Sequence, residues 1–208
     1  MTVRCMFVIG LTGGIATGKT LVSETLRESG ATIINADLVG HEAYLPHTET
    51  WQAVVDAFGT DILDEEGQIV RPKLGAIVFS DPSKLEQLNS IVHPRIYAMI
   101  SDRIEGLKAE GITAVVVEAA LLIEAGWTPL VDDIWVLTSP IEQVYSRLTG
   151  RGMSPEQARA RVESQMPQEE RVTHADIVIA NDGGEAELKS AVKEHWDQRV
   201  SSKVQGDR

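Results

Sequence analysis

Five short apolar segments are spaced along the chain, and between them apolar residues recur with helical spacing. The segments show no clean alternation of apolar and polar residues, which is typical of strands buried on both faces of a parallel sheet. They are residues 5–11, 31–35, 112–119, 132–137 and 175–180. Strands that alternate with helices predict right-handed βαβ crossovers and an α/β sandwich.

Helical patterns and helix-start signals fill the sequence between these strands. Apolar residues recur at i, i+3, i+4 and i+7 over residues 51–58 and, less strictly, over residues 96–107. Pairs of Asp-Pro or Ser-Pro predict helix starts at Asp81, Ser139 and Ser154, and the last of these also has the glutamine of a capping box. We therefore predict that the segments between the strands are helical.

Two of these helical segments are larger than a connection between strands requires. The spacing between the second and third strands is far longer than one crossover helix needs. We predict a mostly helical insertion over residues 45–110 and a smaller helical segment, rich in Arg and Glu, over residues 140–172. The core of this single domain then comprises residues 1–44, 111–139 and 173–208. Because open α/β sheets bind ligands at the carboxyl ends of their strands, we expect both segments to border that edge.

Composition and charge narrow the class of protein. The chain has 208 residues, 43% of them hydrophobic, and a net charge of -12, which disfavours general nucleic-acid binding and requires local basic groups to capture an anion. Cys5 is the only cysteine, so no intrachain disulfide is expected, and a place in a buried strand suits it best. The apolar segment from Val3 to Leu11 is too short to span a bilayer, so we expect a cytoplasmic protein with no membrane partner.

The sequence GGIATGKT, residues 13–20, matches the G-x-x-x-x-G-K-[ST] pattern of a phosphate-binding loop. Gly13 and Gly18 permit torsions and close approaches that let successive amide N–H groups point at phosphate oxygens. Lys19 is expected to reach the β- and γ-phosphates, and Thr20 to offer its hydroxyl to Mg²⁺. The other members of this predicted nucleotide site are Gly14, Ile15, Ala16 and Thr17.

The loop by itself leaves the fate of the nucleotide open. The sequence has no NKxD-like tetrapeptide, which disfavours a GTPase switch, and the chain is small for a motor. It also lacks H-E-x-x-H, G-x-S-x-G and paired His/Cys metal spacing, which disfavours a hydrolase. A kinase for a small molecule fits best.

Three carboxylates follow predicted strands and are candidates for the edge that carries the phosphates. Asp37 comes just after the second strand, where it could take a proton from an acceptor hydroxyl, help to hold the metal, or cap the next helix. Glu118 ends the third strand, where it could hold a metal-bound water or be an ordinary strand-end charge. Glu124, six residues further on, has the weakest case.

Basic residues outside the loop are candidates for contact with phosphates or substrate. Arg147 and Arg151 lie one helical turn apart, so we expect both guanidiniums on one face, facing triphosphate oxygens or paired with surface glutamates. Arg71 is predicted to begin a helix of the insertion. His93 is predicted to lie at the start of another helix, where it either caps the helix or contacts the substrate. Three further arginines extend the basic character of the same segment as Arg147, some of them as surface residues: Arg159, Arg161 and Arg171.

Taken together, these residues resemble the dephospho-coenzyme A kinase family. The resemblance covers nearly the whole chain. It includes, in order, IGLTGGIATGKT, ADLVGHEAY, GQIVRPKLGAIVFSDPSKLEQLNSIVHPRI, EAALLIEAG, RLTGRGMSPEQARARVESQ and ADIVIANDGG. The phosphate-binding loop is shared by a large superfamily, whereas this order of motifs is specific.

The resemblance implies phosphorylation of the ribose 3'-hydroxyl of dephospho-CoA by ATP and Mg²⁺, giving CoA and ADP, the last step of coenzyme A biosynthesis. It also implies a three-layer P-loop NTPase fold, an α/β core with a five-stranded parallel sheet, a helical substrate-binding insertion and a helical lid. By position, Asp37 matches the family's catalytic carboxylate, and Arg71 and His93 match its substrate-domain motif. Arg147 matches the lid arginine near ATP, and Asn181 matches the turn near the adenine.

The sequence departs from the family pattern in two places. Asn35 stands where the family often has Asp, which leaves the catalytic role on Asp37. Ala119-Ala120 replaces the usual Val-Pro, and Glu118 replaces the common Asp, so the position of a metal-bound water is expected to differ. Two alternatives stay open, a P-loop kinase for another small acceptor such as a nucleoside or nucleotide, and a non-catalytic ATP-binding regulator. We expect a monomer or a weak homo-oligomer.

Overall fold

A computed structural model describes residues 6–201, and Cys5 lies outside the described residues. The chain divides into two compact units, one containing residues 6–35 and 104–201 and the other residues 36–103. Within the described part of the chain, no helix combines the length and the apolar character needed to cross a lipid bilayer.

Five parallel strands form the centre of the first unit. They are β1 (Phe7–Gly13), β2 (Thr32–Asn35), β3 (Ala114–Glu118), β4 (Asp133–Thr138) and β5 (Ile177–Ala180). Their order across the sheet is β2-β3-β1-β4-β5, so β1 lies in the middle and pairs with both β3 and β4. The predicted five-stranded parallel sheet is confirmed.

Turns and the short 3-10 helix Thr128–Leu130 connect β3 to β4, so the prediction of a helical segment there is wrong, and α-helices make the other connections. They are α1 (Lys19–Glu28), α2 (Ala36–Ala43), α3 (Glu49–Phe58), α4 (Arg71–Val78), α5 (Pro82–Ala109), α6 (Ile141–Gly150), α7 (Pro155–Glu163), α8 (Gln168–Val172) and α9 (Glu185–Trp196). Short 3-10 turns cover Thr60–Ile62 and Thr128–Leu130, and a π-turn covers Asp197–Ser201. The second unit is helical, as the pattern of residues 51–58 and 96–107 predicts.

Burial explains where the strand pattern holds and where it fails. All seven residues of β1 are buried, and one face of the sheet packs against apolar residues of α1 and α9. The edge strand β5 differs, because Ile177 and Ile179 are buried whereas Val178 and Ala180 are exposed. Burial on both faces is therefore wrong for β5. An edge strand lies next to one neighbour only, and here a single face is covered.

Of the five predicted helix starts, three agree with the structure and two differ, and Arg71 begins α4 as predicted. Ser154 caps α7 in a capping box with Gln157, and α5 begins beside Asp81. The start at Ser139 is displaced, since α6 begins at Ile141 with Pro140 as its N-cap. The start at His93 is wrong, because His93 and Pro94 lie inside α5. The buried residues Val92, Ile96 and Ile100 on either side continue the helix through a proline that lacks the amide donor.

Candidate active site

The predicted phosphate-binding loop leads from β1, the central strand, into α1. Gly18 is the N-cap residue of α1, and no side-chain hydrogen bond caps this end of the helix. Ala16 and Gly18 have φ values of 58° and 107°, in the left-handed region. A left-handed residue next to a residue of ordinary conformation lets neighbouring N–H groups face one concavity, to which the first turn of α1 adds its donors and its dipole. The loop therefore has the backbone form of an anion site.

Close packing explains the two glycines of the pattern. A Cβ on Gly18 would lie 2.5 Å from the amide nitrogen of Asn181, and a Cβ on Gly13 would lie 2.6 Å from the carbonyl oxygen of Leu137. The Gly13 contact is with backbone, so that position requires glycine for space, whereas a Cβ on Gly18 would push the Asn181 side chain away from its hydrogen bond to Thr17.

The side chains of Lys19 and Thr20 extend from the first turn of α1. The Lys19 ammonium donates hydrogen bonds to the carbonyl oxygens of Gly13 and Gly14, at 2.8 and 3.0 Å. Thr20 is exposed. The Lys19 cation is thus held over the first residues of the loop, and the Thr20 hydroxyl lies at the last residue of the loop.

Arg147 and Asn181 support the loop from the adjoining elements. The Arg147 guanidinium donates to the carbonyl oxygens of Ala16 and Thr17 and to the Ser139 hydroxyl, at 3.1, 3.4 and 2.9 Å. The Asn181 amide donates to the Thr17 carbonyl at 2.6 Å, and the Asn181 carbonyl accepts from Ser139 at 2.7 Å. These contacts fix the backbone of the loop between α6 and the end of β5.

Arg151 does not share this arrangement. It is the exposed C-cap residue of α6, whereas Arg147 is half-buried and bonds to the loop. That the two guanidiniums share one helical face stays a prediction.

The segment around α8 contributes contacts that the sequence did not reveal. The Gln165 side-chain oxygen accepts a hydrogen bond from the Ile15 amide at 2.7 Å. Arg171 is only 2% exposed and donates to Glu124 at 2.7 Å. A cleft of about 530 Å³ opens beside the loop between these residues and α6, and it is lined by Gly14, Ile15, Gln165 and Arg171 among others. The sequence pattern predicts Arg171 only as part of a basic segment, and it gives no role to Gln165.

Glu118 ends β3 at the carboxyl edge of the sheet, where it pairs in register with Leu11 and Asn35. Its carboxylate accepts a hydrogen bond from the Ser23 hydroxyl at 2.8 Å. Residues 6–201 contain no cluster of three or more His, Cys, Asp or Glu side chains able to hold a metal ion. Mg²⁺ in kinases usually binds one or two protein oxygens together with substrate phosphates. The oxygen donors of Thr20 and Glu118 fit that requirement.

The second unit holds the remaining predicted residues. Asp37 is exposed in the first turn of α2, which begins at Ala36, so Asp37 lies within the helix. The Arg71 guanidinium lies 5.6 Å from the centre of the Tyr44 ring, a cation–π contact. Burial and the nearby Arg71 charge lower the pKa of His41, against an opposing effect of Asp37. Asp37, His41 and Arg71 are thus near enough to interact electrostatically. Burial also lowers the pKa of His93.

Comparison with known proteins identifies the family. A sequence model of the dephospho-CoA kinase family matches residues 7–187. The chain belongs to this family. It is 48% identical to a dephospho-CoA kinase of Carboxydothermus hydrogenoformans over 177 residues, 85% of this chain and 86% of that protein. A Dehalococcoides mccartyi dephospho-CoA kinase is 43% identical over 189 residues, 90% of this chain and 95% of that protein.

A solved structure agrees with this assignment. The dephospho-CoA kinase from Campylobacter jejuni matches with a TM-score of 0.70 and 28% identity, over 93% of this chain and 96% of that chain. The resemblance noted in the sequence is therefore confirmed, and the chain is a P-loop kinase of coenzyme A biosynthesis that uses ATP.

Proposed function

We propose that this chain transfers the γ-phosphoryl group of ATP to the ribose 3'-hydroxyl of dephospho-CoA, giving CoA and ADP. The observation that carries this proposal is the phosphate-binding loop of a chain that belongs to the dephospho-CoA kinase family. In this loop the Lys19 ammonium is bound to the carbonyl oxygens of Gly13 and Gly14. The 3'-oxygen forms a bond to the γ-phosphorus, the bond from that phosphorus to the β,γ-bridging oxygen breaks, and the hydroxyl proton leaves to a base.

The loop residues 13–20 are proposed to bind the triphosphate through their amide groups, of which the Ile15 amide must first release its hydrogen bond to Gln165. Lys19 places a positive charge against the β- and γ-phosphates, where negative charge moves during transfer. Arg147 and Asn181 keep the loop in its binding conformation through their contacts with Ala16 and Thr17. Their direct contact with ATP stays a prediction.

Thr20 is proposed to hold Mg²⁺, and Glu118, on the substrate side of the site, to hold a water bound to that ion. The ion, when bound, neutralises phosphate charge and orients the γ-phosphoryl group. Ser23 restrains the longer side chain of Glu118 through its hydrogen bond. This restraint suits the replacement of the family's common Asp by Glu at this position.

The helical insertion, residues 45–110, is proposed to bind dephospho-CoA, and residues 140–172 to act as a lid that excludes water during transfer. Asp37 takes the proton of the 3'-hydroxyl. Arg71 and His93 contact the substrate, and Tyr44 holds the Arg71 guanidinium from one side.

We also propose a cytoplasmic location and no nucleic-acid or membrane partner. We propose that the protein is a monomer or a weak homo-oligomer, and sedimentation analysis would test this oligomeric state.

The experiment that tests this function measures ADP release across a panel of acceptors with ATP and Mg²⁺. Dephospho-CoA is expected to give turnover, and adenosine, shikimate and nucleoside monophosphates are expected to give none. Turnover with a nucleoside but not with dephospho-CoA would contradict the proposal. ATP binding without turnover on any acceptor would instead indicate a regulator.

A further inference from the structure

Arg171 is a buried cation whose hydrogen bonding is incomplete. Its side chain is 2% exposed, and one terminal nitrogen donates to Glu124 at 2.7 Å. Its Nε, also buried, has no hydrogen-bond partner among the residues that the structure describes. A buried donor without a partner is costly, and a buried guanidinium has five donors to satisfy. One carboxylate therefore leaves this group under-satisfied.

Arg171 lies beside the phosphate-binding loop, where its incompletely bonded guanidinium could bind an anion. Its other terminal nitrogen, Nη1, lies 3.6 Å from the point that a Cβ on Gly14 would occupy, and Arg171 lines the cleft beside the loop. The Lys19 ammonium binds the carbonyl oxygen of the same Gly14 at 3.0 Å. Two cationic groups thus converge on one residue of an anion-binding loop, in a protein whose net charge is -12.

We propose that Arg171 binds the β- and γ-phosphates of the nucleotide from the Gly14 side of the loop, and that Glu124 holds its guanidinium in place for this contact. Fork-shaped, charge-assisted donors suit phosphate oxygens, and a phosphate group would accept hydrogen bonds from Nη1, the terminal nitrogen on the Gly14 side. The proposal rests on the proposed function only in requiring a nucleoside triphosphate in the loop.

A purely structural ion pair is the competing explanation. A pair of that kind would stabilise the protein equally with and without nucleotide. The proposed role instead makes nucleotide binding depend on Arg171 in proportion to the number of phosphates beyond the first. The number of phosphates on the ligand is therefore the variable that separates the two explanations.

The first test compares the affinities of ATP, ADP and AMP for Arg171→Met and Arg171→Lys by calorimetry. In Arg171→Met we expect ATP and ADP to bind about tenfold more weakly or worse, and AMP to change by less than about twofold. Arg171→Lys, which keeps a charge but loses the fork, should fall between this variant and the unaltered protein. Arg161→Met, an exposed arginine of α7, is the matched control and should bind all three nucleotides normally.

The second test uses the other half of the pair and needs no catalytic activity. Glu124→Gln keeps an oxygen acceptor but leaves the buried Arg171 charge without a counter-ion, so the nucleotide-free protein should melt at a lower temperature. Bound ATP then supplies the missing negative charge, and we expect the ATP-dependent rise in Tm to be larger than in the unaltered protein. In Arg171→Met that rise should be smaller.

The two tests together distinguish a phosphate-binding role of Arg171 from a structural ion pair. Opposite changes of the ATP-dependent Tm shift in Glu124→Gln and Arg171→Met, together with the loss confined to ATP and ADP, would support the proposal. Equal shifts in all variants, or equal weakening of all three nucleotides, would overturn it and leave a structural ion pair. If Arg171→Met fails to fold, Arg171→Lys and Glu124→Gln still decide. Because both tests measure ATP binding, an absence of turnover with dephospho-CoA would contradict only the proposed function.

Discussion

At the scale of single residues, the phosphate-binding loop depends on two features that the motif letters only partly describe. The first is space, since a Cβ on Gly18 would displace the Asn181 side chain that holds the Thr17 carbonyl. The second is charge, since Lys19 is the cation that the loop backbone holds. Both features can be removed by one substitution each.

Gly18→Ala tests the requirement for space. The added Cβ would clash with Asn181, and Gly18 has a φ of 107°, which costs an alanine about 1–2 kcal/mol. We expect ATP affinity to fall by about tenfold or more, as measured by calorimetry. Gly106→Ala is the matched control, because Gly106 lies within α5 with open space around it, and this variant should bind ATP normally. Normal ATP binding by Gly18→Ala would show that the loop tolerates displacement of Asn181.

Lys19→Met and Asp37→Asn separate charge stabilisation from proton transfer. Loss of the Lys19 ammonium should lower kcat by about 10²- to 10³-fold, because charge on the transferring phosphate is no longer stabilised.

Loss of the proposed base in Asp37→Asn should lower kcat by about 10²- to 10⁴-fold while ATP affinity stays unchanged. Steady-state kinetics and calorimetry measure both. Nearly full kcat in Asp37→Asn would refute the role of Asp37.

At the scale of elements, α6, α7 and the segment leading to α8 form the part of the first unit that borders the cleft. Ala158 of α7 is fully buried against α6, in a small cluster with Val144 and Leu148. The cluster is small, so local features such as helix caps account for a large share of its stability. Caps in this segment are therefore sensitive places for substitution.

Ser154→Ala removes the capping box of α7. The Ser154 hydroxyl accepts a hydrogen bond from the Gln157 amide at 3.3 Å and also donates to Glu156. We expect a loss of about 1 kcal/mol in the free energy of unfolding, measured by urea denaturation. The Ser154 hydroxyl lowers the pKa of Glu156, so Glu156 should titrate nearer its usual range in the variant. Ser80→Ala, on an exposed serine outside this segment, is the control.

The burial of His93 within α5 makes the stability of the protein depend on pH. Burial lowers the pKa of His93 below its usual 6.5, so folding favours the neutral ring. Its contribution to stability is therefore complete above pH 6.5 and is lost as the pH falls below that value toward the pKa of the folded state. We expect Tm to fall more between pH 7.5 and pH 5.5 in the unaltered protein than in His93→Gln. The exposed His174→Gln serves as control, and equal slopes in all three proteins would contradict the burial of His93.

At the scale of the whole molecule, an acidic chain binds a polyanion only because a few cations and amide groups are concentrated at one loop. Ligand binding to the folded state alone stabilises a protein by mass action, by about 2.7 kcal/mol when the ligand is present at one hundred times its Kd. The binding of ATP should therefore be visible in the unfolding of the whole protein.

We expect ATP to raise Tm progressively with concentration, and AMP to raise it much less. Lys19→Met should lose most of the rise caused by ATP, because the loop then lacks the cation nearest its phosphates. Differential scanning calorimetry measures the effect, and Lys84→Met, on an exposed lysine of α5, is the control. Equal stabilisation by ATP in Lys19→Met and the unaltered protein would place the nucleotide outside the loop.

Local chemistry explains how much of the fold the sequence predicted. The five strands, the loop and the capping box at Ser154 all depend on neighbours in sequence, through burial pattern, torsion or a contact three residues away. The prediction failed where distant packing prevailed over a local signal. His93-Pro94 resembles a helix start, yet buried residues on both sides carry α5 through it. Strand β5 is exposed on one face because the hydrophobic core covers only the face that carries Ile177 and Ile179.

The sequence by itself determined the phosphate-binding loop, the order of strands and helices along the chain and the family, because each depends on residue types at fixed spacing. Only the tertiary structure decided that Gln165 binds the Ile15 amide and that Arg171, paired with Glu124, lies beside Gly14. Gln165 and Ile15 are 150 residues apart. The physical reason is that contacts between such distant residues are set by the packing of whole elements, which no spacing along the chain specifies.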